Sequence, residues 1–212
     1  MASPHPLDRA VWSALNGRQA RFALHAGKAC RYAPGYGVFA AVEDRAKASL
    51  ASLGALVAEH GDVALLETDP PTNVPGTIVV SADPGVQMTA ARLSPGPSPH
   101  FAMIPLGDAD AAEMLALATL TAPGPFFDHT HRLGDFFGVR VDGQLVAMAG
   151  ERLKPQGCTE VSGVCTHPDH RGHGYGSALM RLVATRILAR GETPFLAVSC
   201  RLQQQPRRNR PL

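Results

Sequence analysis

The glycine-rich stretch HPDHRGHGYGSALM, residues 167–180, is the feature that most constrains the fold. The segment before it, 159–167, has the apolar and β-branched residues typical of a strand. The segment after it, 174–191, has apolar residues at helical spacing and ends at a glycine. Since a proline and several glycines interrupt any continuous helix through the stretch, the sequence predicts a strand, a tight loop and a helix in direct succession.

The same glycines indicate what the loop binds. Glycine lets the backbone turn tightly and expose successive N–H groups, and such groups at the start of a helix bind anions such as a pyrophosphate. The loop does not match the dinucleotide-binding pattern G-x-G-x-x-G, and no Walker-type lysine follows. His167, His170 and His173 would share a face only on a continuous helix, so we expect no metal site. A glycine-rich turn without a ligand is the alternative.

The element order along residues 100–199 predicts a mixed α/β domain. A strand and a helix are followed by an irregular loop, a hairpin with a turn at Asp142-Gly143, the strand and helix already described, and a final strand at 193–199. Three prolines within RLSPGPSPH indicate a linker before this domain. We therefore divide the chain into an N-terminal α/β region of unknown role, a linker, the mixed domain and a basic tail, at 1–92, 93–99, 100–199 and 200–212.

Composition excludes several classes of protein. Hydrophobic residues make up 45% of the chain, enough for a buried core. The formal net charge is +2, but the tail contributes four arginines and no acid, so the rest of the chain lacks the basic face of a nucleic-acid-binding protein. No apolar run reaches the ~20 residues of a membrane span, the N-terminus lacks a secretory signal, and the cysteines have no paired spacing. We therefore expect a cytoplasmic protein with no nucleic-acid or membrane partner.

The stretch VCTHPDHRGHGYGSALM resembles the acyl-CoA-binding motif of the GNAT superfamily of N-acyltransferases. In that motif, Arg/Gln-x-x-Gly-x-Gly/Ala, the fixed positions are occupied here by Arg171, Gly174 and Gly176. The element order from about residue 99 to 199 is also similar to that of the family, and the whole chain resembles bacterial members with an extra N-terminal half. The fold implied is a central mixed sheet flanked by helices, together with an N-terminal α/β half.

The resemblance implies a function and a cosubstrate. Members of the family transfer the acetyl group of acetyl-CoA to an amine, so the expected partner is a small-molecule or protein amine, with no metal required and a homodimer left open. The pyrophosphate of acetyl-CoA lies on the glycine-rich loop, and its pantetheine arm pairs with the preceding strand. The residues implied to bind acetyl-CoA are Val164, Cys165, Thr166, Arg171, Gly172, His173, Gly174, Tyr175, Gly176 and Ser177.

Direct attack of the amine on the thioester needs a base, an oxyanion donor and a proton for the leaving thiolate. The resemblance implies that Glu160 is the base, because it stands at the start of the CoA-binding strand where histone-type members place their base glutamate. A solvated carboxylate at a strand end, with a water chain as the base, is the alternative. The oxyanion donor is expected to be a backbone N–H near Val164 or Cys165, and the Cys165 side chain is expected to be a small apolar strand residue.

Other side chains are weaker candidates for contact with the amine. They are Glu151 on the hairpin and His129 and His131 on the irregular loop. Phe126 and Phe127 either line the acceptor pocket or fill the core, and the core is the interpretation we favour.

The sequence departs from the family after residue 199. Many members continue with a helix that reads Asn-x-x-Ala-x-x-Leu-Tyr, whose tyrosine is the general acid, and with two more strands, whereas this chain continues as CRLQQQPRRNRPL. We interpret this tail as the product of a shifted reading frame, and a natural short variant is the alternative. The expected consequences are an exposed edge on the strand at 193–199 and impaired catalysis. The second function considered is therefore a non-catalytic acyl-CoA-binding module.

Overall fold

The structure is a computed structural model that describes residues 5–71 and 73–199. Its first half is a small unit of four short strands and two helices. The strands form one sheet in the order β1-β2-β3-β4, in which only β3 and β4 are parallel. The elements are α1 (Ala10–Leu15), β1 (Ala23–Ala26), β2 (Ala29–Tyr32), β3 (Phe39–Val42), α2 (Lys47–His60) and β4 (Ala64–Leu65).

The second half contributes most of a six-stranded sheet in the order β5-β10-β9-β8-β7-β6. Only β9 and β10 are parallel, so this sheet is also mixed. The mixed α/β class predicted from the sequence is confirmed. The elements are β5 (Gly85–Thr89), β6 (Ile104–Leu106), α3 (Ala111–Thr121), β7 (Phe136–Val141), β8 (Gln144–Glu151), β9 (Cys158–Thr166), α4 (Tyr175–Ala189) and β10 (Thr193–Ser199).

Helices α3 and α4 cover opposite faces of the six-stranded sheet. Successive residues of a strand point to opposite faces, and on β7 Phe136 packs in the cluster of α3 while Phe137 packs in the cluster of α4. Met114, Leu117 and Ala118 are the buried residues of α3, and Leu179 lies among those of α4. The apolar residues at helical spacing that the sequence showed for α4 therefore face the sheet. No helix in the described part of the chain is long and apolar enough to cross a membrane.

The two halves share one apolar core. Leu7 and Leu15 of the N-terminal unit pack in the same cluster as Leu153, Cys158 and Phe195 of the second half. Burial of this apolar surface stabilises the contact by roughly 25 cal/mol per Å². The division of the chain at residues 92, 99 and 199 stays a prediction. The shared core joins residues of the range 1–92 to residues of the range 100–199.

The predicted exposed edge at 193–199 is wrong. Strand β10 pairs with β9 on one side and with β5 on the other, through five residue pairs from Phe195–Thr89 to Ser199–Gly85. The Phe195 side chain is only 1% exposed, because it packs in the core that the two halves share. The strand that covers β10 comes from upstream of the proline-rich segment, so no local pattern near residue 195 could have indicated it. The tail at 200–212 lies outside the described residues, and its shifted-frame interpretation stays a prediction.

We expect Phe195→Ala to lower the free energy of unfolding by about 3–5 kcal/mol, since it empties a site in the core that both halves share. Leu120→Ala is the control, because Leu120 lies on α3 and is 56% exposed; it should change stability by less than about 0.5 kcal/mol. Urea denaturation followed by circular dichroism measures both. A loss near that of the control, or two well-separated unfolding transitions in the parent, would contradict a shared core.

Candidate functional site

The candidate site begins where β9 and β10 separate. The two strands pair from Cys158–Thr193 to Glu160–Phe195, and their pairing stops there. Beyond that point β10 stays paired with β5, and β9 continues to Thr166 beside β8. Within the described residues, no strand pairs with this edge of β9 after Glu160. Its backbone N–H and C=O groups are therefore free to bind another extended chain.

A bulge interrupts β9 next to this open edge. Its register with β8 shifts by one between Met148–Cys165 and Gly150–Ser162, which leaves Gly163 and Val164 outside the ladder. Gly163 has φ of +61°, which favours glycine, and a Cβ there would lie 3.0 Å from the ring of Phe136. The bulge thus removes the Val164 backbone from regular pairing at mid-strand.

The glycine-rich loop leads from the end of β9 into α4, as predicted. Pro168–His170 form one 3-10 turn, Gly172 has φ of +87°, and Gly174 caps α4 with φ of +79°. The first N–H groups of an α-helix have no partner within the helix, and here the intrahelical bonds begin with the Ala178 N–H donating to the Gly174 carbonyl at 3.0 Å. The N–H groups of residues 175–177 therefore face outward at the positive end of the helix dipole.

A cavity of about 310 Å³ brings several of the predicted residues together. It lies between the end of α3, the last residues of β9 and the loop. Arg171 is positioned there by a 3.4 Å hydrogen bond from its Nε to the Thr166 carbonyl. The residues that line this cavity are Thr121, Pro123, Val164, Cys165, Thr166 and Arg171.

A second cavity, of about 420 Å³, lies on the α4 side of the same strand separation. Its walls come from β5 and the segment after it, from β10, and from α4. It reaches Val161 on β9 and Ser177 in the first turn of α4. The open edge of β9 therefore has space beside it near both ends, at Val161 and at Thr166.

Aromatic rings surround the start of α4. The His173 ring stacks on Tyr175, with centroids 5.5 Å apart, and Tyr175 meets the edge of Phe101 at 4.6 Å. His167 and His170 form a separate edge-on pair. Among residues 5–71 and 73–199, no group of three or more His, Cys, Asp or Glu side chains could hold a metal ion. The rings of His167, His170 and His173 take part in aromatic contacts.

Glu160, the predicted base, is 1% exposed and fully engaged. Its carboxylate accepts two hydrogen bonds from the Arg152 guanidinium, at 2.7 and 2.9 Å, and one from the Leu153 N–H at 3.2 Å. Because the side chain is buried, Glu160 is also not the solvated carboxylate at a strand end that was the alternative. Taking up a proton would break a buried bidentate ion pair and leave Arg152 uncompensated. The geometry favours a carboxylate that holds structure, and its role as base stays a prediction.

The weaker candidates occupy different places. Glu151 is buried between Lys154 and Arg190, at 2.7 and 2.6 Å, and so forms ion pairs in the interior. His131 is buried and its Nε2 lies 2.8 Å from the Asp108 carboxylate. Neither group lines the two cavities.

His129 and Phe126 are two further candidates on the irregular loop between α3 and β7. His129 is exposed and packs on Tyr36, with ring centroids 5.4 Å apart. Phe126 meets the edge of Phe136 at 5.8 Å, and its ring would lie 3.7 Å from a Cβ on Gly163. Phe126 is therefore the loop side chain that the structure places beside the bulge.

Cys165 lines the first cavity but is not an activated nucleophile. Its side chain is buried, and burial raises the pKa of the Cys165 thiol to about 11. The thiol is therefore neutral near pH 7, whereas nucleophilic attack requires the thiolate. This supports the interpretation of Cys165 as a small apolar strand residue.

Known proteins match both the sequence and this geometry. The family model of the FR47-like protein matches residues 137–204. A GNAT-family acetyltransferase from Novosphingobium aromaticivorans is 42% identical in sequence with a TM-score of 0.83, and the match covers 92% of this chain and 87% of that one. A GCN5-related N-acetyltransferase from Kribbella flavida is 20% identical with a TM-score of 0.56, covering 91% and 85%, and shows the fold alone. No curated protein matches the sequence significantly.

These matches decide the family and leave one expectation unsupported. The extent of the first match, 92% of this chain and 87% of the related one, gives no support to a domain shortened after residue 199. The resemblance of the glycine-rich loop to the acyl-CoA motif is confirmed at the level of family by a relative that is 42% identical over nearly the whole chain. The chain belongs to the GNAT superfamily of N-acetyltransferases.

Proposed function

We propose that this chain transfers the acetyl group of acetyl-CoA to an amine, at the open edge of β9. One observation carries the proposal: the unpaired edge beyond Glu160 runs directly into the unpartnered N–H groups at the start of α4. A long ligand with amide groups along one part and a pyrophosphate at the other end fits this arrangement. The acceptor is an amine of a small molecule or a protein, and we expect the reaction to take place in the cytoplasm.

The pyrophosphate of acetyl-CoA would bind at the glycine-rich loop. The N–H groups from Gly172 to Ser177 and the positive end of the α4 dipole attract an anion. Arg171 adds a formal charge beside them, at the mouth of the first cavity. Nothing lies within 4 Å of the position that a Cβ on Gly174 would occupy, so this space is open to a ligand.

The pantetheine arm would extend β9 as an additional strand. Its two amide groups need hydrogen-bond partners when they leave water, and the backbone from Val161 to Thr166 offers unpaired donors and acceptors on this edge. The residues predicted to bind the arm, Val164, Cys165 and Thr166, all border the first cavity. This mode of binding takes its affinity from main-chain hydrogen bonds and tolerates variation in side chains.

The chemical step would take place beside the bulge. The lone pair of the amine nitrogen forms a bond to the thioester carbonyl carbon, and the π electrons of the C=O bond move to its oxygen. The C–S bond then breaks as the oxyanion collapses. The Val164 N–H, which the bulge removes from the β8 ladder, is the proposed donor to that oxyanion. The amine loses a proton and the CoA thiolate gains one, so acetylated amine and CoA are the products.

We propose that a water chain, the alternative to Glu160, takes the proton from the amine. All three hydrogen bonds to the Glu160 carboxylate come from Arg152 and Leu153, and the side chain is buried. A base must lie within hydrogen-bond reach of the proton that it removes, directly or through one water. Phe126, beside Gly163, is the proposed border of the pocket for the amine.

Replacing Gly174 with valine should abolish binding of CoA. A β-branched side chain at this position would fill the space reserved for the pyrophosphate. Gly191→Val is the matched control, since Gly191 ends the same helix with φ of +74° against +79° for Gly174, and neither position has a neighbour within 4 Å. Both variants carry similar backbone strain, of about 1–3 kcal/mol. Isothermal titration calorimetry with CoA should show binding in the control alone. Unchanged affinity in Gly174→Val would remove the loop from the site.

Glu160→Gln should lower kcat by a similar factor at every pH, because the change disturbs the position of β9 and removes no base. It should also cost about 3–5 kcal/mol of stability by leaving Arg152 unpaired. Glu113→Gln, which breaks an exposed ion pair with Arg140, is the control and should leave the rate unchanged. The assay follows amine-dependent release of CoA between pH 6 and 9. A loss confined to low pH would show that Glu160 is the base. Binding of CoA without turnover in the parent would support the acyl-CoA-binding module instead.

A further inference from the structure

A buried polar network joins the N-terminal unit to the start of the open edge. Its members are Gln19, Tyr32, Arg152 and Glu160, which we call the Gln19 network. Gln19 lies between α1 and β1 and is 1% exposed, and Tyr32 ends β2. Arg152 follows β8, and Glu160 is the last residue of β9 that pairs with β10. The network therefore runs from one sheet to the other through the shared core.

Gln19 uses its full hydrogen-bonding capacity in this network. Its Oε1 accepts from the Tyr32 hydroxyl at 2.6 Å and from the Lys154 N–H at 3.0 Å. Its Nε2 donates to the Arg152 carbonyl at 2.7 Å and to the Leu133 carbonyl at 3.3 Å. A carboxamide has two donors and two acceptor lone pairs, so one side chain of the N-terminal unit fixes the backbone after β8 at two points.

Tyr32 remains a donor in this network at all ordinary pH values. Burial, reinforced by the charge of Glu160, raises the pKa of Tyr32 well above its usual value. The phenol is therefore protonated and keeps its hydrogen bond to Gln19.

Arg152 passes this constraint on to β9. Its guanidinium lies 4.8 Å from the ring centroid of Phe39 on β3 and holds the Glu160 carboxylate in a bidentate ion pair. Although burial acts to lower the pKa of Arg152, the charge and hydrogen bonds of Glu160 outweigh it and the pKa is raised. The planar guanidinium fixes both the distance and the orientation of its partner. Arg152 is thus held at its main chain by Gln19 and at its side chain by Phe39 and Glu160.

Glu160 is fixed by its main chain as well as by its side chain. The Glu160 N–H donates to the Leu153 carbonyl at 2.8 Å, and the Glu160 carbonyl accepts from the Arg152 N–H at 3.2 Å. The bulge at Gly163 lies three residues further along β9. Since a β-strand rises about 3.3 Å per residue, the Val164 backbone lies within roughly 13 Å of Glu160 along the same strand.

We propose that the Gln19 network is a positioning device through which the N-terminal unit sets the place of the Val164 N–H for acyl transfer. Gln19, Tyr32 and Arg152 are positioning residues in this account, because none of them lines either cavity. The inference rests on the proposed function, and it gives the N-terminal unit a role in the reaction. Acyl transfer is sensitive to such placement, because a misplacement of about 1 Å caused far from the chemistry can cost about 100-fold in rate.

Gln19→Met removes all four hydrogen bonds while keeping about the same volume. We expect kcat for amine-dependent CoA release to fall between about tenfold and 100-fold. The KM for acetyl-CoA should rise by a smaller factor, because the pyrophosphate loop is untouched and only the β9 segment that pairs with pantetheine is loosened. Leu53→Ala is the matched control: Leu53 is buried in the cluster between α2 and the first sheet, so the change weakens the same unit outside the network. Its kcat should match the parent. Tyr32→Phe removes a single hydrogen bond and should give a smaller loss than Gln19→Met.

Hydrogen–deuterium exchange provides a readout that does not depend on turnover. Gln19→Met should speed the exchange of amides 160–166 on β9, and Leu53→Ala should leave that segment unchanged. An unaltered kcat together with unaltered exchange in Gln19→Met, or equal losses in both variants, would overturn the proposal. If the parent releases no CoA with any amine, the proposed function fails. In that case hydrogen–deuterium exchange alone tests whether the Gln19 network positions β9. Unaltered exchange of β9 in both Gln19→Met and Tyr32→Phe would reject that role.

Discussion

The separation of β9 from β10 after the Glu160–Phe195 pair is the constraint on which the site depends. Two parallel strands that stayed paired would satisfy each other's backbone groups and leave no edge for a ligand. Here β10 is held by β5 and β9 by β8, so each strand keeps one partner while the gap between them opens. The glycine-rich loop lies at the end of this gap, and the bulge at Gly163 lies within it.

Local chemistry made the loop and the family predictable from the sequence. The glycines at 172 and 174 adopt the positive φ values that only their small size favours, and α4 begins within one residue of its predicted start. The pairing of β5 with β10 could not be predicted in this way, because it joins residues about 110 positions apart. The environment of Glu160 escaped prediction for a different reason, because its ion-pair partner is only eight residues away but belongs to a segment that is itself held by the N-terminal unit. The resemblance implied a base at this position, whereas its partner, Arg152, is held by Gln19 and Phe39 of the N-terminal unit.

The N-terminal unit is part of the same folded body as the acyl-CoA-binding region. Its α1 and β2 residues share a core with Leu153 and Phe195, and its Gln19 and Phe39 hold Arg152 in place. A buried ion pair contributes little net stability compared with an apolar pair of the same shape. Its value in this fold lies in fixing the direction of β9, and the sequence alone offered no chemistry for this unit.

Hydrogen–deuterium exchange of the parent protein, with and without CoA, shows whether the open edge of β9 and the glycine-rich loop bind one ligand together. Bound CoA should slow exchange in two segments, at 161–166 on the open edge of β9 and at 172–177 in the loop and first turn of α4. Residues 167–171 separate the two segments in the sequence, and the segments lie next to each other at the proposed site. Protection in the loop alone would contradict the pairing of pantetheine with β9, and protection in neither segment would contradict the site.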